Sequence, residues 1–184
     1  TIVSPTSATS STTAGSATKL AYTTVPTTGT AGTAFSVTVE SQDANGNAAT
    51  LASATTITLS KATGSGTLSG TLTGSIGIGS SNVTISTPVY SKADAMTLTA
   101  TASGVVTLTA VTSGSITFSA GTAAKYLVTS SDYSPVAGTG VTITAQLADA
   151  NDNAVATSGK VVTWSKTGTG GSFATPTSTT DGSG

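Results

Sequence analysis

The stretch AGTAFSVTVESQDANGN, residues 31–47, decides the reading of this chain, because it returns as AGTGVTITAQLADANDN at residues 137–153. The two runs align without a gap at a constant offset, so Ala31 answers Ala137, Val37 answers Ile143 and Asp43 answers Asp149. A gapless self-match of this kind marks an internal repeat. Within the first copy, Phe35, Val37 and Val39 alternate with Ser36, Thr38 and Glu40. That is the period-2 pattern of a half-buried strand. The second copy keeps it through Val141, Ile143, Ala145 and Leu147. The alternation stops at Asp43-Ala44-Asn45-Gly46-Asn47. Asp and Asn bond their own backbone two residues on, and Gly accepts positive φ, so the run ends a strand and turns the chain.

Outward from the repeat, the same alternation recurs. Strands are expected near residues 19–25, 34–42, 55–61, 66–72, 82–87, 96–103, 105–111 and 115–119, with Gly, Ser and Asn between them. No stretch carries apolar residues at helical spacing over three turns. Short strands with regular turn signals predict an all-β chain of sandwich or barrel type. Residues 14–120 read as one complete sandwich, a natural size for such a domain. Residues 121–184 read as a second, incomplete one, in which Lys125 answers Lys19 and Trp164 answers Leu59. This second unit stops before the counterparts of residues 82–119. The expectation is therefore a longer chain, or strands added by another chain to cover the open edges. Residues 1–13 read as a linker after a short apolar scrap, TIVS, that resembles the end of a preceding repeat.

Composition excludes several classes of function. The 184 residues include no cysteine, histidine or arginine, and only 7% are charged, for a net charge of −1. Nucleic acid needs a basic patch to neutralise phosphates, and an anionic membrane surface asks for the same. The six lysines are scattered. No apolar run is long enough to span a bilayer, and no signal peptide opens the sequence, so any such segment lies upstream or has been removed. Roughly two-fifths of the residues are Ser or Thr, far above ordinary usage. A surface that replaces charge with threonine suits an extracellular chain. Strand propensity alone also accounts for it.

The run Ala31-Gly32-Thr33 into an alternating strand, then DANGN, then a strand carrying Leu59 or Trp164, resembles the bacterial immunoglobulin-like domains. These occur in tandem in invasin-type adhesins, S-layer proteins and other large cell-surface proteins. Residues 94–100, DAMTLTA, resemble the strand that enters the final hairpin, and residues 180–184, TDGSG, the turn before the fifth strand. The first copy departs from the pattern with GIGSS at 77–81, where the second has its Asp-Gly turn. The resemblance covers about residues 15–184 and implies tandem immunoglobulin-like β-sandwiches at an extracellular cell surface. Such domains sometimes carry Lys–Asn crosslinks. No Asn falls between Val83 and Ala150, so the last strands of the first unit supply none.

Catalysis fails on inventory. A Ser-His-Asp or Cys-His constellation needs an imidazole, and zinc prefers His and Cys. The nearest carboxylate pairs, Glu40 with Asp43 and Asp149 with Asp152, sit beside Asn-rich turns. Calcium is the best chemical candidate, since oxygen ligands at alternate positions converge when a loop curls around an ion. The candidate ligands are Asp43, Asn45 and Asn47 in the first copy, and Asp149, Asn151, Asp152 and Asn153 in the second. The plainer alternative is an Asx turn that binds nothing. Trp164 reads as a core residue, like Leu59 at its equivalent place, rather than a sugar-stacking platform. Asn82-Val83-Thr84 is a glycosylation sequon on an expected strand. The expected role is a non-catalytic extracellular spacer or self-assembling subunit of a surface layer, stalk or filament. Its partners are then copies of itself or neighbouring repeats, with no cofactor required. The alternative is an adhesin or carbohydrate-binding accessory module, whose partner is a surface polysaccharide.

Overall fold

The structure, a computed structural model, describes residues 13–184. The expected linker and the TIVS scrap fall almost entirely outside the described residues. Every regular element among the described residues is a β-strand. In chain order these are β1 (Lys19–Thr24), β2 (Thr28–Thr30), β3 (Val37–Gln42), β4 (Thr55–Thr63) and β5 (Leu68–Gly70). Next come β6 (Thr73–Ile76), β7 (Asn82–Ile85), β8 (Pro88–Tyr90), β9 (Ala95–Ser103), β10 (Val111–Thr112) and β11 (Ile116–Ser119). Residues beyond 120 add β12 (Lys125–Ser130), β13 (Ile143–Ala148), β14 (Val161–Thr163) and β15 (Thr177–Thr179).

Up to residue 120 these strands form a two-sheet sandwich. One sheet has the order β1-β3-β7; the other runs β2-β11-β9-β4-β6, with β10 also on β9. All pairings are antiparallel except β2 with β11. A small β5-β8 ribbon stands apart. The period-2 pattern explains the packing. In β3, Val37 and Val39 are fully buried, and on the facing sheet Ile57, Leu59, Met96, Leu98 and Ile116 meet them in a single core. Burial of side chains of this kind contributes about 1.5–3 kcal/mol each. Phe118 closes the core, its ring 5.1 Å from Tyr90 and 5.5 Å from Phe35. Tyr90 is wholly buried, but its hydroxyl is satisfied. It donates to Asp94 Oδ1 (2.7 Å) and accepts from the Gly66 amide (2.7 Å).

The threonine-rich composition has a structural counterpart on the exposed faces. Thr38 and Thr84, Thr63 and Thr97, and Thr99 and Thr112 are cross-strand partners whose hydroxyls meet at 2.9, 2.9 and 3.2 Å. Such pairs contribute roughly 0.2–1 kcal/mol each relative to alanine. They hold the sheet surface without charge.

Two expected strands are corrected. The expected strand over 66–72 ends at Gly70, whose φ is +85°, and β6 starts afresh at Thr73. A Cβ on Gly70 would collide with the Thr87 carbonyl. The expected strand over 105–111 is mostly irregular: only Val111 and Thr112 pair with β9. The run crosses instead to the other sheet, where Thr109 exchanges backbone hydrogen bonds with Thr18 and Leu20 while Leu108 enters the core. Alternation alone does not distinguish a strand from a crossover that buries every second side chain.

Beyond residue 120 the repeat reproduces pairings as well as sequence. β12 pairs β13 in the register of β1 with β3, Lys125 opposite Ala148 where Lys19 stands opposite Gln42. β14 pairs β15 as β4 pairs β6.

Candidate functional site

The two copies of the Asp/Asn turn have the same internal geometry. Asp43 Oδ1 accepts hydrogen bonds from the backbone amides of Asn45 and Asn47, both at 2.9 Å. Its Oδ2 accepts from the Gly15 amide at 2.9 Å and from Asn47 Nδ2 at 3.0 Å. In the second copy Asp149 Oδ1 accepts from the amides of Asn151 (2.8 Å) and Asn153 (2.9 Å). Asp149 Oδ2 accepts from the Gly121 amide (2.8 Å) and Asn153 Nδ2 (2.9 Å). The turn closes through Asp43 N to Asn47 O, repeated as Asp149 N to Asn153 O, both 2.9 Å. Both need a left-handed residue, supplied by Gly46 (φ +88°) and Asp152 (φ +61°). Each aspartate therefore knits its turn together and ties it to the chain entering its own repeat, at Gly15 or Gly121. The sequence carries a signal for this last contact: a Gly stands at the same distance before the Asp in both copies.

The residues named as calcium ligands thus come together, but around N–H donors. Asn45 and Asn151 offer the carboxylates their amides, and Asn47 and Asn153 add side-chain NH₂ groups. Asp152 turns away to pair with Lys125 at 2.6 Å. Calcium asks for six to eight converging oxygens. No group of three or more His, Cys, Asp or Glu side chains comes together among the described residues. As arranged, the loops do not fit that ion. They are Asx turns, in which the peptide N–H takes the place a cation would need.

These contacts set the charge state. Hydrogen bonds from the Asn47 side chain and backbone, then from Gly15, hold the Asp43 carboxyl down at about 2. Burial pushes Asp149 up, but bonds from Asn153, Gly121 and Asn151 outweigh it and bring it to about 2. Asp94 is lowered chiefly by the Ser65 hydroxyl, and Asp181 by that of Ser183. All four shifts have one sign. A carboxyl whose folded pKa lies below its unfolded value near about 3.9 contributes stability that is complete above that value and lost as pH falls through the folded pKa. With no histidine to titrate between pH 5 and 8, thermal melts are expected to be flat from pH 8 to 5. The melting temperature should then drop steeply from pH 4 to 2, and less steeply in Asp149→Asn. A fall already under way at pH 6 would contradict this assignment.

The second copy does something the first does not. Asn153 Nδ2 also donates to the Ser91 carbonyl, and Asn153 Oδ1 accepts from the Ala93 amide, both at 2.9 Å. Lys92 reaches the Asp152 carbonyl at 3.3 Å. Asn153 is buried by this contact at 4% exposure, whereas Asn47 is exposed. Asn151 lies against Gly32 (φ +79°), where any side chain would collide with its amide. The Asp149 turn is therefore a joint: one face folds its own loop, the other clamps the 91–93 turn. Sequence reasoning missed 91–93, because the groups it contributes are mostly backbone and leave no residue signature.

Trp164 is half-buried and lines a cleft of about 590 Å³ with Tyr126, Val128, Val141, Ile143 and Phe173. Its Nε1 donates to Ser178 Oγ at 2.9 Å, and its ring lies 6.1 Å from Phe173.

The described aspartates Asp43 and Asp149 hold turns in an all-β chain. No protein-family model matches the chain, and no curated protein does. Among solved structures it is similar to three of the surface layer protein SbsC. Domains 1–6 align at 16% identity and TM-score 0.36, covering 80% of this chain and 18% of that one. Domains 4–9 align at 17% and 0.36, covering 83% and 23%. Domains 5–6 align at 18% and 0.35, covering 91% and 85%. The chain thus spans only about a fifth of the length of the first two.

Proposed function

We propose that the chain is a non-catalytic structural repeat of an extracellular surface layer, stalk or filament, made of tandem immunoglobulin-like sandwiches. The observation that carries this reading is the Asn153 joint. A buried amide that hydrogen-bonds two backbone groups of the preceding segment fixes one sandwich against the next. A load-bearing array needs such fixed joints. The paired threonine hydroxyls supply a surface with little charge, which lets copies pack side by side without like-charge repulsion. The alternative, an adhesin or polysaccharide-binding module, asks for an exposed aromatic platform. Trp164 lines a cleft at the repeat position of the buried Leu59, which favours the structural reading.

Electron microscopy of the purified chain, with calcium and with chelator, tests the proposal. Ordered sheets or filaments in both conditions are expected. Dispersed monomers in both would sink the self-assembling role. The melting temperature should also ignore chelation. A bound ion at a hundred times its Kd would add about 2.7 kcal/mol, so a clear calcium-dependent rise would mean that the Asp/Asn turns rearrange to hold it.

A further inference from the structure

The two outer faces of the first sandwich differ in chemistry. On the larger sheet, side chains that point away from the core line up in register. Ser75, Thr56 and Ser103 are neighbours across β6, β4 and β9, and Thr73, Thr58 and Thr101 form the next row. They alternate with Ile57, Ile76 and Ala100, which are buried in the core. All are exposed except Thr58, which is half-buried. No charged side chain stands in either row. The outer face of the β1-β3-β7 sheet is different, since there Lys19 and Glu40 alternate with the buried Leu20 and Val39. The repeat keeps the hydroxyls. Thr163 and Thr177, paired across β14 and β15, answer Thr58 and Thr73, and Thr179 answers Ser75. It does not keep the acid, for Gln146 stands at the place of Glu40.

We propose that this hydroxyl face is the lateral contact between copies of the chain, covered by the same face of a second copy. A hydroxyl carries one donor and two acceptor lone pairs, so a row of hydroxyls is complementary to its own image. A lysine or a carboxylate is not, and like charges set opposite one another are destabilising. A two-fold contact brings identical patches together. The image also has the same strand spacing, so every row can meet a row. A protein of other chemistry would need aromatic or arginine anchors to hold, and these rows offer no pocket for either. The inference rests on the self-assembling role proposed above and names the surface that carries it.

Sedimentation velocity of the whole chain over a concentration series is the test. The parent is expected to associate as concentration rises. Ser75→Glu combined with Thr101→Glu puts two carboxylates on the face, on strands separated by β4, and is expected to abolish the association. Ser75→Lys combined with Thr101→Lys is expected to do the same. An equimolar mixture of the two variants is expected to regain it, which misfolded chains would not. Thr23→Glu combined with Thr84→Glu adds the same charge to exposed positions of the other sheet, and is expected to associate like the parent. Three results overturn the inference and leave the self-assembling role standing: association that survives the Ser75 and Thr101 substitutions, an equal loss with Thr23 and Thr84, or a mixture that stays dispersed. A parent that stays monomeric at every concentration sinks the role and the inference with it.

Discussion

Replacing Phe118 with alanine is expected to destabilise the sandwich by about 3–5 kcal/mol, the usual cost of removing a buried aromatic side chain. Phe118 is 3% exposed and sits between Phe35 and Tyr90. Its strand pairs both β9 and β2, so its surroundings have little freedom to collapse into the void. Gly29 reinforces this, since a Cβ there would press into the Phe118 ring at 2.6 Å. Trp164→Ala is the comparison. A side chain facing an open cleft leaves no closed cavity, and the loss should be about 1–2 kcal/mol, the transfer part alone. Urea titration of both variants at pH 7 measures the difference. Equal losses would show that Trp164 already occupies a closed core.

Asn153→Ala is expected to have the next largest effect. The substitution removes the side chain that serves Asp149, Ser91 and Ala93 together. Each buried polar group left without a partner costs about 1–3 kcal/mol. Because two of those partners belong to the 91–93 turn, the loss should also loosen the joint. Small-angle scattering is expected to show a broader distance distribution for Asn153→Ala than for the parent. Asn47→Ala is the control: it breaks the same bond to its own aspartate and makes no contact of the second kind. If both variants scatter alike, the amide does not hold the joint.

Much of the strand layout was legible in the sequence, and the reason is local. A strand that buries one face must alternate, so Val37, Val39, Ile57 and Leu59 announce their strands and their inward direction. A chain reversal needs residues that tolerate it, so Asp43 to Asn47 announces a turn, and its recurrence at Asp149 announces a repeat. What those turns bind was not legible. Asp, Asn and Gly at alternate places suit both a cation and an Asx turn. The choice between them depends on whether N–H groups or oxygens face the carboxylate. Only folded geometry answers that, and it brings Gly15, Asn45 and Asn47 to Asp43 as donors.

The sequence by itself determined an all-β chain, the repeat, its alternating core positions and the lack of cysteine, histidine and arginine, because each is a matter of residue type and near spacing. Tertiary structure alone decided that 105–110 crosses between sheets, that Asn153 is a joint while Asn47 is not, and that Trp164 faces a cleft. The two asparagines occupy the same place in the same motif. They differ in what lies across from them, and contacts between residues 60 or more positions apart arise from packing, which local pattern does not encode.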